Sequence, residues 1–186
     1  MAERLIVGIS GASGAPLAVT FLKALRKSGI ESHLIITEGG ALTIGQESEE
    51  SLDEVRALAT RVYDPHDIGA APASGSWKSM GMVVVPCSMK TVAGIWSGYS
   101  ENLLLRAADV MLKERRKLLL VPRECPMSPI HLRNLADLSQ MGADIVSPVL
   151  SYYMNPQSVH DMEYHIVGKI FDLFGLELPD YRRWEG

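Results

Sequence analysis

The chain has 186 residues, 47% of them hydrophobic, and its 22 acidic side chains outnumber the 18 basic ones to leave a net charge of −4. That length suits one domain with a sizeable core, residues 1–186, and the acidic balance argues against a nucleic-acid partner. No apolar run approaches the roughly 18 residues needed to span a bilayer, and the N-terminus opens directly into a strand, so no membrane association and a cytoplasmic location are expected. Cys87 and Cys125 are too few for a disulfide framework and lack zinc spacing, so no metal site is expected.

Arg4–Ile9 reads as a buried strand feeding a turn in which Gly8, Gly11 and Gly14 are spaced Gly-x-x-Gly-x-x-Gly. The glycines permit close backbone approach, Ser10 and Ser13 add hydroxyls, and the unpaired N–H groups of the next helix face outward. Together they predict a site for a phosphate-bearing ligand. The dinucleotide fingerprint Gly-x-Gly-x-x-Gly is not met, and Glu31, about 20 positions on, sits at a strand start. A mononucleotide such as FMN therefore fits better than NAD.

The pattern continues with a helix over Pro16–Ser28, its stop at Gly29, and a strand over Glu31–Ile36. Helices follow over Ala41–Glu49 and Ser51–Thr60, the second opened by the capping-box spacing of Ser51 and Glu54, then a short strand at Val62–Tyr63. Asp64–Ser79, rich in Pro, Gly, Ala and Ser, is too long for a plain connector and is a candidate binding loop. Next come a strand at Met82–Val85, a turn at Pro86-Cys-Ser88, a helix over Lys90–Ile95, and a longer helix from Glu101 to Lys113 capped by Ser100. Leu118–Val121 is a buried strand. Ser128-Pro129 opens a helix over Ile130–Met141, ended by Gly142, and Asp144–Ser147 is the last strand. Ser158 with Asp161 opens a final helix reaching Phe174.

Short apolar strands alternating with amphipathic helices predict an α/β fold: a three-layer αβα sandwich, Rossmann-like or flavodoxin-like, around a mainly parallel sheet. Ligands of such sheets gather beyond the carboxyl ends of the strands. That rule selects Ser10 and Ser13, Thr37 and Glu38, Cys87 and Ser88, Arg123 and Glu124, and Tyr152 and Tyr153. Their hydroxyls and arginine suit a phosphate and an isoalloxazine ring. A thiolate nucleophile at Cys87 is rejected, since no His lies near it in sequence to activate it. His131 reads as a surface or interface residue, and the basic run Lys113–Lys117 as a solvated helix end.

In order along the chain, Gly11-Ala-Ser-Gly14, the Pro72-Ala-Ser-Gly-Ser76 loop, Pro86-Cys-Ser88, the run Asn102–Arg116, Val121-Pro-Arg-Glu124 and Pro156-Gln-Ser158 resemble the UbiX-type flavin prenyltransferases. The resemblance covers nearly the whole chain. It implies a metal-independent enzyme that binds FMN and joins a dimethylallyl group, from dimethylallyl monophosphate or in some members the diphosphate, to flavin N5 and C6. The prenylated FMN passes to a UbiD-type decarboxylase of aromatic or unsaturated acids. It also implies a homo-oligomer, often a dodecamer, with active sites at subunit junctions.

By position, the resemblance implies FMN contacts at Gly11, Ala12, Ser13, Thr37, Ser88, Met89, Lys90, Thr91 and Arg123, and a dimethylallyl phosphate cluster of Lys113, Arg123, Tyr153 and Lys169. Lys113 would then turn inward while Arg115 and Arg116 stay solvated. Glu47 and Glu124 match the family's proton-handling carboxylates, with Ser13 near the reacting centre, and Arg106 is a further ordering cation. Many members carry arginine at the place of Lys169, and lysine keeps the charge but loses the bidentate fork. Trp77 is a candidate wall of the prenyl pocket or a subunit contact, and Tyr181–Trp184 a tail that docks on a neighbour or closes the pocket. Two other classes stay open. The Pro72–Ser76 loop is similar to the Pro-Ala-Ser-Ala-Asn loop of FMN-dependent decarboxylases of a cysteine-derived carboxylate, without their Pro-x-Met-Asn element or catalytic His. A non-catalytic flavin carrier would bind FMN without needing Glu47 and Glu124.

Overall fold

In the computed structural model, which describes residues 3–183, six strands form one all-parallel sheet in the order β3-β2-β1-β4-β5-β6. The strands are β1 (Arg4–Ile9), β2 (Glu31–Ile36), β3 (Arg61–Tyr63), β4 (Gly81–Cys87), β5 (Lys117–Pro122) and β6 (Ala143–Ile145). This is the strand order of Rossmann-type doubly wound sheets, and the order reverses between β1 and β4. The helices are α1 (Ala15–Lys27), α2 (Glu38–Glu47), α3 (Leu52–Leu58), α4 (Met89–Trp96), α5 (Leu103–Lys113), α6 (Pro129–Gln140) and α7 (Val159–Phe174). None of the described helices is long and apolar enough to cross a membrane.

The two-residue period of the strands sorts the core into two halves. Leu5, Val7 and Ile9 of β1, Val83 and Val85 of β4, and Leu119 and Val121 of β5 pack on one face against α1, α2, α3 and α7. Ile6, Met82, Val84, Leu118 and Leu120 point the other way, onto α4, α5 and α6. Each wholly buried Leu, Ile or Phe contributes about 1.5–3 kcal/mol of transfer free energy. Phe21 of α1 meets Phe171 of α7 edge to face, with ring centroids 6.0 Å apart, so α7 lies on the same layer as α1.

The elements follow the sequence pattern, and the departures have local causes. β4 runs through Pro86 to Cys87, which pairs with Pro122, so the expected turn is the strand's end. α5 is capped by Asn102, whose side chain accepts the N–H of Leu105, and not by Ser100. α2 starts three residues before the expected Ala41, with Thr37 as its N-cap and Gly39-Gly40 in its first turn. Two glycines are poor helix formers, but here packing decides: a Cβ on Gly40 would lie 2.5 Å from the Ile9 carbonyl oxygen, and one on Gly11 would lie 2.9 Å from Gly39 Cα. Gly14, the N-cap of α1, has φ 116°, which side-chain-bearing residues rarely adopt.

Gly40→Ala is expected to lower stability by about 1–3 kcal/mol despite its better helix propensity, because the methyl must displace the backbone of β1. The readout is a reduced urea midpoint at unchanged slope. A midpoint at or above that of the parent contradicts the close approach of α2 to β1.

Candidate active site

The carboxyl ends of β1 and β4 are joined by the buried side chain of Ser10. Its hydroxyl donates to the Pro86 carbonyl at 3.1 Å and accepts the N–H of Ser88 at 2.8 Å, while its own N–H also meets Pro86 O. Ser10 is therefore a structural link, 1% exposed, and not the ligand donor expected of it. Thr37 does the same between β1 and β2: its N–H donates to Ile9 O at 3.0 Å, and its hydroxyl oxygen accepts the N–H of Gly40 at 3.1 Å. Ser88 caps α4 by accepting the N–H of Thr91 at 3.2 Å and pairs with the Thr91 hydroxyl at 3.0 Å. Three helices thus begin on one rim.

The N-terminus of α1 is not open. Glu47, at the last turn of α2, places Oε2 2.7 Å from the N–H of Gly14 and 3.1 Å from that of Ala15. An internal carboxylate has taken the anion position expected at the glycine turn. Burial pushes the Glu47 carboxyl up, but the two N–H groups, the Ser13 hydroxyl and the nearby Arg123 charge outweigh it and hold the group below the usual carboxylate range. Glu47, still exposed, is thereby tied to the start of α1 beside Ser13, within the field of Arg123.

Beside this pair lies a cleft of about 630 Å³ lined by Gly11, Thr37, Gly39, Ser88, Lys90 and Thr91, with Pro65, His66, Tyr99 and Asn102 on its outer side. Pro65 and His66 come from the long loop, tied down by Leu103 N–H donating to Pro65 O at 2.8 Å. The N-termini of α2 and α4 both open here, and the close contact of Gly11 with Gly39 makes a floor that any Cβ would fill. Aligned N–H groups, two hydroxyl caps and Lys90 are donors that could hold a phosphate group such as that of FMN, with the carboxylates of Glu38 and Glu101 also on the lining.

The other expected residues fall in three places. Arg123, its N–H on the Cys87 carbonyl at 3.1 Å, and the half-buried Glu124 follow β5 on the same rim. Glu124 Oε1 accepts the N–H of Cys125 at 3.0 Å. Tyr153 and Lys169 belong to a second cluster around α7, where the Tyr153 hydroxyl pairs with His165 Nε2 at 3.0 Å. Lys113 ends α5 beside the start of β5 and pairs with Glu114 at 2.5 Å, next to Gly75. A six-residue strand spans roughly 20 Å, so one chain does not bring Lys113 to Arg123. Arg106 pairs with Asp109 at 2.7 Å. Trp77 packs on His33 and under Arg4 at the start of β1, the end of the sheet opposite Ser13. His131 serves its own helix, accepting the N–H of Ser128 at 3.2 Å. Cys87 is wholly buried, and burial pushes its thiol far up, consistent with its rejection as a nucleophile. Trp184 lies outside the described residues.

The Flavoprotein family model matches residues 1–171. A protein of Streptomyces sp. (strain D7), named "Probable UbiX-like flavin prenyltransferase", is 51% identical over 184 residues, covering 98% of this chain and 92% of its own. This chain belongs to the UbiX-like flavin prenyltransferases. Among solved structures, the dodecameric FMN-dependent UbiX-like decarboxylase of Escherichia coli O157:H7 superposes with a TM-score of 0.97 at 49% identity, covering 99% of this chain and 100% of its own. AnUbiX, solved in complex with FMN and dimethylallyl pyrophosphate, superposes with a TM-score of 0.98 at 45% identity over 100% and 99% of the two chains. The sequence reading of this family member missed Gly39 as part of the cleft and Gly40 as the close approach of α2 to β1. The signal was there, a glycine doublet at a strand end. His165 had no such signal; Tyr181, expected in a tail that docks on a neighbour or closes the pocket, folds back onto α7 of its own chain.

A carboxylate whose folded value lies below its unfolded one stabilises the fold above the unfolded value, and loses that contribution as pH falls through the folded one. Glu47→Gln is therefore expected to lower the thermal unfolding midpoint at neutral pH, with the gap to the parent closing through the acid range. A gap of equal size in strong acid contradicts the charge-based tie.

Proposed function

We propose that this chain transfers the dimethylallyl group of dimethylallyl monophosphate to reduced FMN and supplies the prenylated FMN to a UbiD-type decarboxylase in the cytoplasm. The supporting observation is the adjacency, on one rim, of a phosphate-sized glycine cradle and the Glu47–Ser13–Arg123 group. The cradle would hold FMN through Gly11, Thr37, and Ser88 to Thr91, with Arg123 and Ser13 toward the ring. When bound, the flavin supplies the N5 and C6 positions that receive the prenyl carbons.

The remaining chemistry falls to side chains. Breaking the allylic C–O bond sends its electron pair to the phosphate, so cations must meet the developing negative charge in a site closed to water. Arg123, Tyr153, Lys169 and Lys113 are the groups assigned to it. Since Lys113 stands at the other end of β5 within one chain, its contribution comes from a second copy, which makes the homo-oligomer the active species. Ring closure releases a proton. Glu124, with Oε1 engaged by Cys125 N–H, takes it on Oε2, and Glu47, held as a carboxylate, orients the Ser13 hydroxyl.

Purified protein with reduced FMN and dimethylallyl monophosphate is expected to release phosphate and raise the flavin mass by one isoprene unit. Unchanged flavin in the presence of both substrates contradicts the transferase reading and leaves a carrier. Glu124→Gln is expected to retain FMN but slow product formation roughly 100- to 10,000-fold. Mixed oligomers of Lys113→Ala and Glu124→Gln chains should regain activity that neither homo-oligomer has. Failure of the mixture to exceed its components contradicts the shared site.

A further inference from the structure

The second polar cluster is covered by the C-terminal segment that follows α7. His165, Gly168, Lys169 and Asp172 share one face of that helix by their three- and four-residue spacing. The segment crosses this face on several independent ties. The Tyr164 hydroxyl donates to Pro179 O at 2.5 Å, Lys27 of α1 pairs with Asp180 at 3.1 Å, and Arg183 pairs with Asp172 at 2.7 Å. Between them the Tyr181 ring lies directly on Gly168, where a Cβ would come within 2.1 Å of a ring carbon.

Gly168 sits inside a regular helix, where alanine is intrinsically preferred, so its missing side chain is room for that ring. Tyr181 also stands against His165, ring centroids 5.7 Å apart, and its ring lies on the residue next to Lys169, whose charge acts on the Tyr181 hydroxyl. His165, 8% exposed, pairs through Nε2 with the Tyr153 hydroxyl, and burial together with the neighbouring Lys169 charge lowers its proton affinity, so it is a neutral partner. Tyr181 therefore touches both routes to the phosphate pair, Lys169 directly and Tyr153 through His165. A lysine ammonium is a point charge on a flexible four-carbon stem with no planar fork of its own. Its direction must come from a neighbour.

We infer that Tyr181 is a positioning residue, seated on Gly168, that aims Lys169 and, through His165, Tyr153 at the phosphate of the prenyl donor. The inference rests on the proposed assignment of Lys169 and Tyr153 to that phosphate. It predicts that the segment acts on donor binding and not on flavin binding.

The test uses the full-length oligomer with reduced FMN, varying dimethylallyl monophosphate, and inorganic phosphate as competing probe. Tyr181→Phe keeps the ring on Gly168 and removes only the hydroxyl. It is expected to raise KM for the donor about 3- to 10-fold, the worth of one polar contact to a charged group, and to weaken phosphate inhibition by the same factor, with kcat and FMN affinity unchanged. Tyr181→Ala and Gly168→Ala, which remove or displace the ring, should raise KM further. If Lys169→Ala raises KM while Tyr181→Phe and Tyr181→Ala leave KM and phosphate inhibition unmoved, positioning by Tyr181 is overturned and the site assignment stands. If Lys169→Ala itself leaves KM unmoved, the site assignment fails and the inference with it. A fall in kcat at constant KM for Tyr181→Phe also overturns it.

Discussion

The buried hydroxyl of Ser10 joins the two strands from which the catalytic rim is built. Where β1 and β4 part at the switch point, their last polar groups face a dry interior, and each left unpaired would cost about 1–3 kcal/mol. One side chain answers both, donating to Pro86 O and accepting from Ser88 N–H. This sets where α1 and α4 begin. Thr37 repeats the device between β1 and β2, and the glycines at 11, 39 and 40 let the first turn of α2 press against the end of β1. Three helix N-termini, each carrying partial positive charge, are thereby crowded onto one edge of the sheet.

Glu47 divides that charge. By occupying the first amides of α1 it neutralises one N-terminus from within and leaves those of α2 and α4 facing the cleft. The same pairing, with the Ser13 hydroxyl and the Arg123 charge, favours the ionised form of Glu47. A glutamine could keep the shape of this contact but not its sign.

Most of the fold was legible because it depends on periods of two and near four that the chain shows openly. The burial of β1, β4 and β5 and the caps at Ser51, Ser128 and Ser158 all lie where pattern and capping chemistry put them. What misled was competition between local preference and long-range packing. A helix capped by Thr37 and starting at Glu38 is masked by Gly39-Gly40, whose purpose is a contact with residues some thirty positions earlier. Likewise the free helix N-terminus after Gly14 looks open until Glu47, 33 positions on, closes it. Position in a family pattern identified Glu47; only the fold shows what it touches. Lys113 marks a third limit: the family pattern names it, but the fold puts it at the far end of β5 from Arg123.

A phosphate cradle on this rim is tested most directly by amide hydrogen exchange with and without FMN. Binding is expected to slow exchange at residues 11–13, 37–41 and 88–92, where the N-termini of α2 and α4 meet the cleft, and to leave the amides of α7 unchanged. Slowing confined to α7 and its C-terminal segment, with none at these three turns, contradicts the placement of the flavin.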